Sequence, residues 1–218
     1  MGHEGMAMAA IRYLRATGTD AGTGSAADLD ELQRPALRAV RPDERVPAAS
    51  GTPSPVADSR QIRSVLGHFC TGVTVISAIT GDGTPVGFAC QSFSSLSLDP
   101  PLVSFSVART SASWPRIAHA GAFCVSVLAA DQGDLCRTFA VSSATGADKF
   151  AGLGWTPAPA TGAPRLPGAL AWIDCTIHAV HTGGDHLIVL GRVADLAVSR
   201  AEAGPLLFYR GGFGDFSQ

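Results

Sequence analysis

The sequence lacks an excess of charge of either sign and any long apolar run. Its 218 residues include 16 basic and 18 acidic side chains, so the formal net charge is -2. That balance gives no support to a nucleic-acid partner. A membrane-spanning helix needs about 18 uninterrupted apolar residues, and the longest apolar stretch, at 120–130, is interrupted by Ser126. We therefore predict neither a nucleic-acid partner nor a membrane span.

The sequence also shows neither CxxC pairs nor the residue pattern expected of a signal peptide. The five cysteines form no CxxC pair and mostly lie inside apolar runs, which predicts reduced thiols in the core: Cys70, Cys90, Cys124, Cys136 and Cys175. The first residues include an early acid, Glu4, and no apolar segment of about 7 to 15 residues, as a signal peptide would have. These features predict a cytoplasmic protein.

The common nucleotide-binding and hydrolase motifs are also absent. No GxGxxG follows a strand and opens a helix, and no GxxxxGK[ST] is present, because Lys149 is the sole lysine. The glycines at 211–214 come too late in the chain to open a helix. Ser, His and Asp are all available for hydrolysis, but the GxSxG elbow is not, so a hydrolase is disfavoured.

What the sequence does contain is a tail followed by an apolar domain. Residues 1–57 combine charged side chains, a Gly/Thr/Ser/Ala linker at 17–27 and a Pro/Ser/Gly run at 47–55. We interpret this segment as an N-terminal extension, either mobile or a partner-binding arm. Residues 58–218 form the folded domain. At 46% hydrophobic, with 25 Gly and 14 Pro, the chain can bury a core but has too many turn residues for a helical bundle.

The domain alternates strand patterns with short helical ones. A helix begins at Asp58 or Ser59 and continues to Phe69 with apolar spacings of three and four, and further helical pieces are predicted at 113–118 and 132–140. Strands are predicted at 73–79, 85–89, 102–108, 123–128, 171–181, 186–198 and 205–209. Hairpin turns between neighbouring strands, without regular strand–helix alternation, predict an all-β fold, an antiparallel barrel or sandwich with peripheral helices.

Two segments could hold a flat ligand and its phosphate. At the end of the second strand, the small and polar residues of 89–92 stand beside Phe88 and Phe93, which suits a heteroaromatic ring bound edge-on through the backbone; a polar barrel corner explains the same pattern. After the third strand, Arg109 and several hydroxyls precede a helix start at Ser113, and this combination favours an anion. An ordinary capped helix is the alternative there.

Two titratable residues complete the candidate set. His186 follows a Gly-Gly-Asp turn between two long strands, where an imidazole could orient a substrate or donate a proton near neutral pH; an exposed turn histidine is the alternative. A zinc site with His178 and His181 is disfavoured by the spacing, so no metal is predicted. Lys149, after a Ser/Thr-rich loop, either contacts a phosphate or is a solvated cation.

Together these segments resemble the flavin reductase family, the reductase components of two-component flavin-dependent monooxygenases. The resemblance covers residues 60–216, and its motifs occur in the family's order: GVTVIS at 72–77, GFACQSF at 87–93, LDPPL at 98–102, RTSASW at 109–114, DKF at 148–150, GALAWIDC at 168–175, GDH at 184–186 and PLLFYRG at 205–211. It implies an FMN-binding split β-barrel of Greek-key type that forms a homodimer. It further implies transfer of a hydride from NADH or NADPH to N5 of FMN or FAD, with reduced flavin passed to an oxygenase.

The resemblance also implies roles for individual residues. Ala89, Cys90, Gln91, Ser92 and Phe93 would line the flavin ring, and the phosphate end would be held by Ser106, Arg109, Thr110, Ser111 and Ser113. Lys149 and Phe150 would close over the flavin. His186 would face the nicotinamide as the catalytic residue, with Tyr209 and Arg210 at the rim. The alternative is a non-catalytic flavin- or haem-binding barrel that acts as carrier or sensor.

Overall fold

The computed structural model describes residues 58–141 and 148–216, and the predicted N-terminal extension lies outside them. The described part begins with helix α1 (Ser59–Leu66). Asp58 caps it from an extended conformation, because its carboxylate accepts a hydrogen bond from the Gln61 N–H at 2.7 Å. The predicted apolar face of α1 is exposed: Val65 and Leu66 retain 64% and 66% of their surface.

Antiparallel strands make up most of the described chain after α1. Their bounds are β1 (Thr71–Gly72), β2 (Thr74–Ile79), β3 (Pro85–Cys90), β4 (Ser94–Leu98), β5 (Pro101–Ala108), β6 (Ala122–Val127), β7 (Thr156–Pro157), β8 (Pro164–Arg165), β9 (Ala171–Gly183), β10 (His186–Val198), β11 (Leu207–Tyr209) and β12 (Gly212–Gly214). Helix α2 (Trp114–Ala120) precedes β6, and a 3₁₀ turn (Ala130–Gln132) leads into helix α3 (Gly133–Ala140). Among the described residues, no helix has the length and hydropathy to cross a bilayer.

The main sheet has seven strands in the order β3-β2-β6-β9-β10-β5-β4. All its neighbouring strands pair antiparallel. The 13-residue strands β9 and β10 form its central hairpin, in which Gly183 pairs with His186. The sheet curls until Ser92, just after β3, hydrogen-bonds with Ser106 of β5. This arrangement confirms the predicted β-barrel with peripheral helices.

Aromatic rings fill the interior of the barrel. Phe105 and Phe123 meet edge to face with ring centroids 5.3 Å apart, and Trp114 of α2 packs on Phe105 at 6.0 Å. Gly191 of β10 makes room for this cluster, since a Cβ there would collide with Cζ of Phe123. A second buried cluster lies under α3, where Phe139 and other apolar side chains pack.

Several features of the fold differ from the sequence predictions. Strands β1, β4, β7, β8 and β12 were not predicted, because β1, β7 and β8 have only two residues each, β4 is a serine-rich edge strand and β12 contains two glycines. The helix predicted to continue to Phe69 ends at Leu66. The strand predicted to begin at Pro205 begins at Leu207. Cys70 is exposed and not in the core, whereas the other four cysteines are buried as predicted; all five are free thiols.

Candidate functional site

A cleft of about 630 Å³ opens where β3 and β5 end, beside the start of α2, the end of α3 and the β11–β12 hairpin. The structure brings ten of the predicted site residues into its lining: Ala89, Cys90, Gln91, Ser92, Ser106, Thr110, Ser111, Ser113, Lys149 and His186. Phe88, which the sequence analysis placed beside the ring-binding segment, also lines the cleft. Sequence reasoning missed further apolar lining residues: Val73, Val107, Ala108, Ala112, Cys136, Phe139, Ala140, Val141, Phe208 and Phe213.

The end of β3 forms one wall, and Ser92 fixes it to β5. The Ser92 hydroxyl accepts a hydrogen bond from the Ser106 N–H at 2.8 Å and donates to the Ser106 carbonyl at 3.0 Å. Cys90 Sγ lies 3.3 Å from the same hydroxyl. Burial raises the pKa of the Cys90 thiol, which therefore stays protonated and weakly nucleophilic at neutral pH. This wall thus presents backbone and small side chains without a reactive group.

The turn after β5 contributes hydroxyls, but the helix cap differs from the prediction. Ser111, and not Ser113, caps the start of α2, because its hydroxyl accepts a hydrogen bond from the Trp114 N–H at 3.2 Å. The Ser113 hydroxyl donates to the Gly87 carbonyl at 3.3 Å and so ties the turn to β3. Ser113 is an N-cap by position only, since its backbone is already helical.

Arg109 lies outside the lining of the cleft. Its guanidinium donates to the carbonyl of Gly184 at 3.3 Å, and its backbone N–H donates to the carbonyl of Asp185 at 3.0 Å. Both contacts reach the tip of the β9–β10 hairpin. Arg109 therefore joins β5 to the turn that carries His186.

Four other predicted residues also lie outside this lining. Phe93 lines a second cavity of about 650 Å³, on the other side of Gln91 and Ser92. Phe150 is buried against Phe139, with ring centroids 5.0 Å apart. The rings of Tyr209 and His68 meet edge to face with centroids 6.2 Å apart, and the Arg210 N–H donates to the carbonyl of Gly67 at 2.9 Å. Tyr209 and Arg210 therefore lie beside the end of α1.

Lys149 forms the deep end of the cleft and is not a solvated cation. It is 8% exposed, and its ammonium donates to the carbonyls of Phe139 at 3.0 Å and Gly87 at 3.3 Å. Burial lowers the pKa of the Lys149 ammonium, because the charged form loses its hydration. An ammonium has three hydrogens, and two of them bind α3 and β3.

His186 is the first residue of β10 and lies at the mouth of the cleft. Its Nδ1 lies 2.7 Å from a carboxylate oxygen of Asp185. The hydrogen bond and the nearby imidazole lower the pKa of the Asp185 carboxyl, so it is ionised at neutral pH. The histidine is thus oriented by its neighbour in the turn. No group of three or more His, Cys, Asp or Glu in residues 58–141 and 148–216 is arranged to hold a metal.

Two phenylalanines from the β11–β12 hairpin form the aromatic side of the cleft. Phe208 and Phe213 pack edge to face, with ring centroids 5.5 Å apart. The Arg137 guanidinium of α3 lies 5.1 Å from the centroid of Phe213 and so holds the hairpin against that helix. The RGGF sequence after β11 was the available signal for Phe213, but its place depends on the pairing of Phe208 with Phe213 across the hairpin.

The antiparallel barrel and its cleft define the class of protein. The family model described as flavin reductase like domain matches residues 66–217, and the chain belongs to this family. Over 154 residues it is 54% identical to the flavin-dependent monooxygenase, reductase subunit HsaB, of Rhodococcus jostii, covering 71% of this chain and 76% of that protein.

Solved structures show the same fold. Nitrilotriacetate monooxygenase component B from Mycobacterium thermoresistibile is 48% identical, with a TM-score of 0.68 over 73% of this chain and 87% of that one. The Streptomyces globisporus NADH:FAD oxidoreductase SgcE6, solved in complex with NAD and FAD fragments, is 38% identical, with a TM-score of 0.68 over 73% of this chain and 93% of its own. The resemblance seen in the sequence is thereby confirmed at the level of the family and its split barrel.

Proposed function

We propose that this chain is an NAD(P)H-dependent flavin reductase that reduces FMN or FAD and supplies reduced flavin to a separate oxygenase. The observation that carries the proposal is the cleft, which has small and hydroxyl-bearing residues on one wall, Phe208 and Phe213 on another, and His186 at its mouth. Relatives support it by name, as a monooxygenase reductase subunit and an NADH:FAD oxidoreductase.

The cleft has the size and the surfaces that a flavin needs. Its volume of about 630 Å³ falls in the range of about 300 to 1,000 Å³ for small-molecule and cofactor sites. We assign the ring edge to the backbone and side chains of 89–92, a ring face to Phe208 and Phe213, and the phosphate end to Thr110, Ser111 and Ser113. Lys149, at the deep end, has one ammonium hydrogen beyond its two carbonyl contacts to offer a ligand.

Bound together, a reduced nicotinamide and a flavin react by hydride transfer from nicotinamide C4 to flavin N5, with a proton from solvent completing the reduction. The residues of this chain contribute chiefly by orientation, since the two rings must approach to about 3–3.5 Å. His186 orients the nicotinamide from the mouth of the cleft. No side chain needs to act as a nucleophile, in keeping with the protonated thiol of Cys90.

The test is oxidation of NADH and NADPH by the purified protein with riboflavin, FMN or FAD, followed by loss of the reduced nicotinamide absorbance in air. We expect turnover that requires both flavin and protein. His186→Ala should raise KM for the nicotinamide nucleotide or lower kcat while leaving flavin affinity nearly unchanged. His119→Ala, at the end of α2 and outside the cleft, is the matched control. Flavin binding without nicotinamide oxidation would instead support a carrier or sensor.

Arg109 has two roles to separate. A phosphate contact predicts that Arg109→Ala weakens FMN more than riboflavin. The observed contacts with the carbonyls of Gly184 and Asp185 support a role in holding the hairpin, which predicts a higher KM for the nicotinamide nucleotide and equal, small effects on both flavins. Equilibrium titration of each flavin and steady-state kinetics distinguish the two.

The proposal extends to a cytoplasmic homodimer. The exposed apolar face of α1, with Ile62, Val65 and Leu66, and the exposed Phe69 support a second copy of the chain as the partner of this surface. Light scattering should give twice the chain mass, and Leu66→Asp should lower it, with Arg60→Asp on the same helix as control. A monomeric wild-type protein would contradict this part.

Residues 58–218 are proposed to carry the reductase, with residues 1–57 as an extension. Deleting residues 1–57 should leave the reductase rate unchanged when it is measured alone. A loss confined to turnover coupled to an oxygenase would identify the extension as a partner-binding arm. A loss of the reductase rate itself would contradict the proposed boundary.

A further inference from the structure

The hairpin tip that carries His186 is held by contacts from both its own turn and β5. His186 pairs with Gly183 in β9 and with Ala108 in β5. Gly184 turns the chain with a φ of +68°, a conformation that favours glycine. The carbonyls of Gly184 and Asp185 both accept hydrogen bonds from Arg109. These contacts hold the backbone of the turn in which Asp185 and His186 are neighbours.

The contact between Asp185 and His186 determines which ring nitrogen carries the hydrogen. An ionised carboxylate only accepts hydrogen bonds, and Asp185 Oδ1 lies 2.7 Å from Nδ1. Nδ1 must therefore be the donor. A neutral imidazole has one N–H, so Nε2 is left with its lone pair. Because Nδ1 is engaged in the turn and the ring lines the cleft, Nε2 is the nitrogen that a ligand can meet.

We propose that Asp185 is a positioning residue that keeps the hydrogen of neutral His186 on Nδ1, so that Nε2 accepts a hydrogen bond from the carboxamide N–H of the nicotinamide. This inference rests on the proposed function and adds which partner donates the hydrogen bond. The group recognised is the amide hydrogen, not the amide carbonyl. The opposite tautomer would offer an N–H to that carbonyl and would recognise a ketone equally well.

The tautomer can be measured without any ligand. Two-bond proton–nitrogen NMR spectra of the full-length, nitrogen-15-labelled protein distinguish a hydrogen on Nδ1 from one on Nε2, and His186→Ala identifies the signals of this ring. At mildly alkaline pH, where an ordinary imidazole is neutral, we expect the Nδ1–H pattern in the wild type and its loss in Asp185→Ala. Asp195→Ala, on the same strand but outside the lining of the cleft, is the matched control. An Nε2–H pattern in the wild type would overturn the proposal.

The direction of the hydrogen bond between His186 and the nicotinamide can be tested with a substrate analogue. Reduced acetylpyridine adenine dinucleotide keeps the carbonyl of the nicotinamide but has a methyl group in place of the amide nitrogen. A hydrogen bond has a net value of about 0.5–1.5 kcal/mol, or roughly 2- to 13-fold. We expect His186→Ala to raise KM for NADH within that range and to leave KM for the analogue within about twofold. Asp185→Ala should show the same selectivity with a smaller rise, and Asp195→Ala should show neither.

The outcomes separate this inference from the proposed function. If His186→Ala raised KM equally for NADH and for the analogue, Nε2 would donate to the carbonyl. If it raised neither KM, His186 would make no contact with the carboxamide. Either result would overturn the inference and leave the reductase activity unaffected. A wild-type protein that oxidises no reduced nicotinamide with any flavin would overturn the proposed function, and the inference that rests on it, even if the tautomer were as expected.

Discussion

Replacing Ser92 by Ala removes the hydroxyl that joins the end of β3 to β5. Two hydrogen bonds to the backbone of Ser106 are lost, at 2.8 and 3.0 Å. Each has a net value of about 0.5–1.5 kcal/mol, and because Ser92 is exposed, water can replace part of the loss. We expect the free energy of unfolding to fall by about 1–2 kcal/mol. For a chain of this size that lowers Tm by roughly 2–8 °C.

The same substitution should reach the ligand site, because Ser92 and Gln91 line the cleft. We expect flavin affinity to weaken several-fold as this wall loosens. Urea unfolding under reducing conditions and flavin titration measure the two effects. Ser92→Thr keeps the hydroxyl and should restore both. Ser94→Ala, which removes a hydroxyl 3.0 Å from the Ser104 hydroxyl at the β4 edge, should leave flavin affinity unchanged. Wild-type stability and flavin affinity in Ser92→Ala would refute the reasoning.

Three further predictions concern the aromatic wall, the buried cation and the core. Phe213→Ala removes a ring from the cleft and should weaken flavin at least tenfold with little change in KM for NADH; a change only in KM for NADH would place the nicotinamide against this wall. Burial lowers the pKa of Lys149 below 10.5, so the unfolded chain binds that proton more tightly and the folded protein gains stability as pH rises toward 10.5. Lys149→Met lacks this pH dependence, so its free energy of unfolding, measured with urea and compared with that of the wild type, should decrease as the pH rises toward 10.5. A difference between the two proteins that does not change with pH would contradict the lowered pKa of Lys149. Gly191→Ala places a Cβ against Phe123 and should lower the free energy of unfolding by about 1–3 kcal/mol in the same assay. An unchanged midpoint of urea unfolding would mean that the Phe123 ring moves aside freely.

Local signals in the sequence were sufficient for two hairpins of the main sheet. The hairpin turns predicted between neighbouring strands lie where the structure has them: residues 81–83 separate the β-branched strand β2 from β3, and residues 183–185 form the turn between β9 and β10. Ten of the residues that line the cleft were also predicted from the sequence, partly because small and hydroxyl residues cluster where strands end and partly through the resemblance to the family.

The remaining features depend on contacts between distant parts of the chain. Arg109 was predicted to bind a phosphate, yet the register that pairs His186 with Ala108 places it beside the hairpin tip. Lys149 is buried because the carbonyls of Phe139 and Gly87 converge on it. Neither neighbourhood leaves a local pattern in the sequence.

The central claim is that flavin and nicotinamide meet in the cleft between the end of β3 and the β11–β12 hairpin. A crystal structure of the protein with FMN and NAD⁺ tests it most directly. We predict the flavin ring between residues 89–92 and Phe208 with Phe213, and the nicotinamide about 3–3.5 Å from it beside His186. A flavin ring in the second cavity, against Phe69 and Phe93, would contradict the claim.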